Sequence, residues 1–197
     1  MSGRKQFDEV EVLDKAMLVF WEKGYKATSL SDLESAMGLN KSSIYNSFHS
    51  KEELYGRCLE HFHSKYTRDG LKTLDHPDFR TAMSNLLEMF QAGMESSETP
   101  EGCIATMAAM EVGASEGFLA DLVAKGLNEI LERLESRMRQ AVEDGQLKPE
   151  TDCAGLAALI MAVNRGIATF NKAMGNNIAG KRSYQQLANI LDLYTLP

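Results

Sequence analysis

The chain has 197 residues, of which 44% are hydrophobic and 25% charged, with a formal net charge of −7. That is enough apolar material for one or two domains around a real core, and it excludes a disordered chain. The negative balance argues against nucleic-acid binding by the surface at large, and three widely separated cysteines, Cys58, Cys103 and Cys153, point to reduced thiols in a cytoplasm rather than a disulfide framework.

No apolar stretch follows the N-terminal M-S-G-R-K-Q-F-D-E, so no secretory leader is expected. The longest apolar run, Cys153 to Val163, is too short to span a bilayer, so no membrane partner is expected. The charge is unevenly spread: residues 1–57 carry 8 basic and 9 acidic side chains, the remainder 13 and 19. From Asn40 to Lys51 there are two lysines and no acid. A face that meets DNA needs local positive potential, not a basic whole.

In chain order, a first helix is expected over about Asp8–Lys23, with Phe7, Val10, Leu13, Met17, Phe20 and Trp21 at helical spacing on its inner face. Thr28 or Ser29 is a good N-cap for a second helix, striped by Leu30, Leu33, Ala36 and Met37. Gly38 stands where the chain needs a left-handed turn. Asn40 caps a third helix with Ile44 and Phe48 inward. Its outer face, Lys41, Ser42, Ser43, Tyr45 and Asn46, is polar and free of carboxylates. A short exposed helix pinned across a glycine turn has the form of a helix-turn-helix reader.

The segment Gly24–Leu54 resembles the DNA-binding domain of the TetR/AcrR family of bacterial transcriptional regulators. Gly24, Tyr25, Thr28, Ser29, Leu30, Leu33, Gly38, Leu39, Ile44, Tyr45, Phe48, Ser50, Lys51 and Leu54 fit the family pattern at fixed spacing. Glu34, Asn40 and Ser47 depart from it. The resemblance implies an all-α fold: an N-terminal three-helix helix-turn-helix domain, residues 1–50, and a C-terminal helical ligand-binding and dimerisation domain, residues 51–197. Lys41 and Asn46 are the candidates to read base edges, with Ser42 and Ser43 beside them. Thr28, Tyr45 and Lys51 are candidates to hold the DNA backbone, and Ser29 is a further candidate DNA contact. Arg4 and Lys5 form a basic arm that either approaches the minor groove, as in relatives, or is a solvated terminus.

A helix over about Ser50–Leu71 follows, striped by Leu54, Cys58, Leu59 and Phe62, and no Gly/Ser or Pro run separates it from the reader. The two domains should therefore move as coupled rigid bodies. Asp75-His76-Pro77 breaks the pattern before a helix over Asp78–Met94, a polar loop over Glu95–Gly102, a short helix over Cys103–Val112 and an amphipathic helix over Phe118–Glu143. The resemblance implies an effector pocket among the central helices, with Met83, Phe90, Met94, Cys103, Met107, Met110 and Phe118 as candidates, since Met lines adaptable pockets. For any one of them, plain core packing is the alternative. Cys103, at a helix N-terminus where thiols are often reactive, is either an electrophile or oxidant sensor or a small packing residue.

Thr151 or Asp152 caps a helix whose stretch from Cys153 to Val163 is apolar nearly all round. That suggests a subunit interface. The small Gly155, Ala158, Ala162 and Gly166 would permit close approach. With a last helix over about Ser183–Leu196, it would build a four-helix homodimer interface from Leu156, Leu159, Ile160, Val163, Leu187, Ile190, Leu191 and Tyr194. His61 and His63 point to different faces of one helix, and no zinc pattern, phosphate-cradling glycine loop or nucleophile elbow occurs. No metal, cofactor or enzymatic activity is expected. The expected partners are an operator in double-stranded DNA, a small-molecule effector and a second copy of the chain. A thiol-sensing regulator acting through Cys103, and a helical ligand-binding protein with a vestigial reader, stand as alternatives.

Overall fold

Asp8 opens the first helix, α1 (Glu9–Lys23), by accepting the Val10 N–H at 2.9 Å. Glu9 and Glu11 in its first turn and Lys23 in its last suit the helix dipole. A computed structural model of the chain describes residues 7–113, 117–175 and 178–196, and helices are the only extended secondary structure among them. Arg4 and Lys5 lie outside the described residues. Helix α1 buries Val12, Leu13, Ala16, Met17, Phe20 and Trp21. Val10, expected inward, is exposed. It sits in the first turn, and its side chain leans back toward the helix N-terminus, away from the packed stretch.

Helices α2 (Leu30–Met37), α3 (Lys41–Phe48) and α4 (Lys51–Phe62) follow, each opened by a side-chain cap from Ser29, Asn40 and Ser50. The helix expected over Ser50–Leu71 changes winding on the way. After Phe62 it passes through a π-helical turn, His63–Thr67, into α5 (Arg68–Leu71) and a 3₁₀ turn, Lys72–Asp75. Helices α6 (Phe79–Glu95), α7 (Ile104–Val112), α8 (Phe118–Glu143), α9 (Cys153–Met174) and α10 (Ile178–Asp192) complete the described chain.

The side chains close two cores. The first joins α1 to α4 with Ile104, Ala108 and Val112 of α7 and Leu119 and Val123 of α8. The boundary expected at residue 50 falls inside it, because Leu54, Tyr55, Cys58 and Leu59 pack against α1. The second core joins α6, the C-terminal part of α8, α9 and α10. Helix α8 therefore contributes to both. The last helix starts earlier and ends earlier than its expected span. Residues beyond Asp192 turn and pair with the α8–α9 connection, where Lys148 N–H donates to the Tyr194 carbonyl and Leu196 N–H to the Gln146 carbonyl, both at 2.9 Å.

By length and composition α9 is apolar enough to cross a membrane. Its inward face nevertheless carries Asn164 and Asn171 and packs on α8 and α10, which suits a core helix. Leu156 and Ile160 of α9 and Leu187 and Leu191 of α10, expected between subunits, are already buried within the protomer. The reason is register: α8 and α10 take the Leu156–Ile160–Asn164–Ile167 row. The face left outward carries Gly155, Ala158, Leu159, Ala162 and Phe170 on α9 and Ile190 on α10, with Val163 and Tyr194 half-buried at its margin.

Candidate nucleic-acid interface and effector cavity

The reader is built by a chain of caps. Ser29 and Asp32 form a capping box at the start of α2, and Lys23 reaches Asp32 from α1 at 2.6 Å. The hydrogen bond from Lys23, then those from Ser29, hold the Asp32 carboxyl well below the usual carboxylate range. Gly38 ends α2 with φ 65°, a conformation that costs glycine no Cβ clash. Glu34, where the family pattern has a small residue, accepts the Lys41 N–H at 2.5 Å, and Asn40 Oδ1 accepts the Ser43 N–H at 2.9 Å. Both departures from the pattern thus fasten the start of α3.

On α3, Lys41, Ser42, Tyr45 and Asn46 stand exposed on one side, and Ile44 and Phe48 are buried on the other. The Lys41 ammonium lies 5.9 Å from the Tyr45 ring centre. Ser43 is half-buried. The remaining predicted contacts belong to the frame. Thr28 is 1% exposed and its hydroxyl donates to the Gly24 carbonyl at 2.6 Å, so its side chain turns away from the surface on which it was expected. Ser29 spends its hydroxyl on Asp32. Lys51 is half-buried, donates to the Thr28 carbonyl at 2.6 Å and lies 4.7 Å from the Tyr25 ring centre.

A cavity of about 450 Å³ opens between α1, the π-helical turn, α6 and α9. Phe90, Met94 and Cys103, three of the predicted pocket residues, line it. Met89 lines it too, as do Trp21, Phe62, Tyr66, Asn164 and Arg165, which sequence reasoning did not single out for it. Their signal was too weak to read: aromatic residues in a buried stripe look like core until a neighbouring helix fails to cover them. The other four predicted residues lie elsewhere. Met83 is buried in the second core. Met107 packs on the first core, and Met110 is 67% exposed, because α7 begins at the cavity and runs away from it toward the reader. Phe118 is 50% exposed and lays its ring edge on α4, where a Cβ at Gly56 would collide with it.

Helix α7 joins cavity to reader. At its head, Cys103 is buried at the N-cap position and accepts from Arg165 Nη1 at 3.2 Å. Near its tail, Glu111 accepts the Lys26 N–H at 2.9 Å, and a Cβ at Gly24 would collide with its carboxylate. The turn leading into α2 is thus held by a residue of the C-terminal half. Lys172 of α9 adds a bond to the Glu22 carbonyl at 3.3 Å.

A polar face on a short second helix, pinned through a glycine turn and carried on an all-α body with its own cavity, defines a DNA-binding helix-turn-helix regulator. Residues 12–58 match the model of bacterial regulatory proteins of the tetR family, and residues 81–187 match that of the tetracyclin repressor-like C-terminal domain. The chain belongs to the TetR family of transcriptional regulators. Among its relatives, the HTH-type transcriptional repressor ComR of Escherichia coli (strain K12) is 28% identical over 167 residues, which is 83% of this chain and 79% of ComR. A structure of a cysteine mutant of the TetR family regulator CifR with 26-base-pair operator DNA superposes with a TM-score of 0.82 at 28% identity, over 93% of this chain and 97% of CifR. A TetR regulator of Chloroflexus aurantiacus J-10-FL superposes with a TM-score of 0.84 at 25% identity, over 93% of both chains.

Proposed function

We propose that the protein is a homodimeric, cytoplasmic repressor that a small molecule releases from its operator. Residues 1–50 read DNA and residues 51–197 bind the effector and dimerise. The observation that carries this reading is the cavity wall itself. It includes Trp21 of the reader's first helix and the head of α7, whose tail holds the turn into α2. A ligand that fits the cavity better in one placement of these helices shifts the population toward that placement. The outward strip of α9 and α10, with its small residues, supports pairing of two protomers. Their α3 helices would then enter successive major grooves about 34–36 Å apart.

The test is fluorescence anisotropy of the full chain on DNA flanking its own gene, across a salt series. Saturable binding by two protomers, tighter than on scrambled DNA, is expected. Asn46→Ala and Lys41→Ala should each weaken specific binding by about 1–3 kcal/mol, with the melting temperature measured beside it to show that the fold is kept. Variants that match the parent chain on both DNAs would remove α3 as the reader and leave a helical ligand-binding protein.

One contact favours a second, thiol-based route. Cys103 lines the cavity, and Arg165 bonds its sulfur at 3.2 Å, so a cavity-bound electrophile would meet this thiol beside a cation. Cys103→Ser should still bind operator but no longer be released by N-ethylmaleimide. Unchanged release would eliminate this route.

A further inference from the structure

The cavity wall contains three ionic side chains, and two of them are neutralised by a neighbour. Lys65 donates to Asp14 at 2.7 Å, and Lys72 donates to Asp69 at 2.6 Å. Arg165 is different. Its Nη1 donates to the Cys103 sulfur at 3.2 Å and the Thr106 hydroxyl at 3.4 Å, and its Nε is buried without an acceptor among the described residues. No carboxylate of the described residues forms an ion pair with it. A smaller cavity of about 260 Å³ adjoins the first and shares Phe62, Thr67, Ile130 and Arg165 with it. Its own charged residues are Glu60, Arg68, Lys125 and Glu129, with Glu129 3.5 Å from His63.

Beside Arg165 on α9, Asn164 is 7% exposed. Tyr184 donates its hydroxyl to Asn164 Oδ1 at 2.6 Å, which turns the amide so that Nδ2 remains as its donor. The cavity wall thus includes a guanidinium with no carboxylate partner among the described residues and, from the preceding residue of α9, an amide whose oxygen is already taken. Around them the wall is apolar: Phe62, Met89, Phe90 and Met161, with the aromatic bodies of Trp21 and Tyr66. A partly buried cation without an anion is costly, and sulfur is a weak acceptor, so an anionic ligand recovers interaction that the protein leaves unmade. Guanidinium matches a carboxylate by paired hydrogen bonds.

From this arrangement we infer that the effector is an organic acid, its carboxylate held by Arg165 and Asn164 and its apolar body lying among Phe62, Tyr66, Met89 and Phe90. The inference rests on the effector-cavity reading above. The volume suits it, since small-molecule sites span about 300–1,000 Å³. A phosphate monoester shares the anionic chemistry but carries a larger, more strongly hydrated head.

Trp21 is the single tryptophan of the chain and stands in the cavity wall, so its fluorescence reports occupancy directly. The probes are 4-phenylbutyrate, its uncharged amide 4-phenylbutanamide, and phenyl phosphate, titrated into the full chain. The acid should bind about tenfold or more tighter than the amide, as charge-assisted bonds require. Arg165→Met should bring acid and amide to equal affinity without weakening the amide, and Arg165→Lys should restore part of the difference. Equal affinities in the parent chain, a difference that survives Arg165→Met, or phenyl phosphate outcompeting the acid would overturn the carboxylate anchor. The cavity reading would survive each of those results. Quenching by none of the probes would overturn both. Should Arg165→Met bind neither acid nor amide, Arg165→Lys decides: a retained preference for the acid supports the anchor, and its loss overturns it.

Discussion

His49 closes α3 with φ 59° and ψ −45°, the one non-glycine residue of the described chain in the positive-φ region. Ser50 N–H donates back to the Phe48 carbonyl at 2.6 Å, which makes His49 the centre of the rarer, strained kind of γ-turn. The strain sits directly behind α3, at the turn into α4. A β-branched residue tolerates this region poorly, so His49→Val should cost about 1–3 kcal/mol in urea unfolding, and His49→Gly should cost nothing like that. Equal losses in both variants would trace the effect to the imidazole rather than to the backbone. Nothing in the residue order of F-H-S-K announces this turn. Other single-residue readings fared unevenly for a related reason. Asn40 and Gly38 act locally, so their roles were legible. Thr28 and Lys51 were read as reaching outward, but Thr28 bonds the Gly24 carbonyl four residues back, and Lys51 bonds the Thr28 carbonyl, which only the folded chain brings near.

Between elements, α1 is clamped to α4 and the π-helical turn by polar contacts as well as by its apolar face. Arg57 pairs with Glu9, and Asp14 meets His61 Nε2 at 2.8 Å and Lys65 Nζ at 2.7 Å. Burial alone would raise the Asp14 pKa; the hydrogen bonds from Lys65 and His61 outweigh it and hold the carboxyl below its ordinary value. A lowered folded pKa means that this group stabilises the fold at pH above about 4, the ordinary carboxylate value, and that the contribution fades as pH falls through the lower folded value. Lys65 is shifted upward, chiefly by its bond to Asp14, so its share persists until the pH rises above the ordinary lysine range. Asp14→Asn should therefore lower the melting temperature at about pH 8 to 9, equivalent to at most about 1 kcal/mol because the pair is partly solvated, and the difference should shrink below about pH 4. A difference that grew as the pH fell below about 4 would sink this assignment. The helix boundaries around the clamp were mostly legible from caps and periodicity. The π-helical turn was not, because the four-residue steps Cys58, Phe62 and Tyr66 that cross it also fit an ordinary helix. Such turns often occur at functional sites. This one contributes Lys65, Tyr66 and Thr67 to the cavity wall.

At the scale of the whole molecule, the two halves share a core instead of a linker. Glu111 holds the turn into α2, Phe118 lies against Gly56 of α4, and Lys172 bonds the Glu22 carbonyl. Packed side chains, and not a linker, thus connect the cavity wall to the reader. The sequence by itself determined the all-α class, the capped helix-turn-helix with its polar outer face, and the apolar length of α9. These follow from local rules: periodicity, capping residues and a glycine at a left-handed turn all act within a few residues of one another. Only the tertiary structure decided which apolar faces are covered. It turned Leu156, Ile160, Leu187 and Leu191 inward and left Leu159, Phe170 and Ile190 outward. It also carried Met107 and Met110 away from the cavity and set Trp21, Asn164 and Arg165 around it. A helix's sequence shows that it has an apolar side, but which neighbour covers that side, and where none does, depends on contacts between residues far apart in the chain.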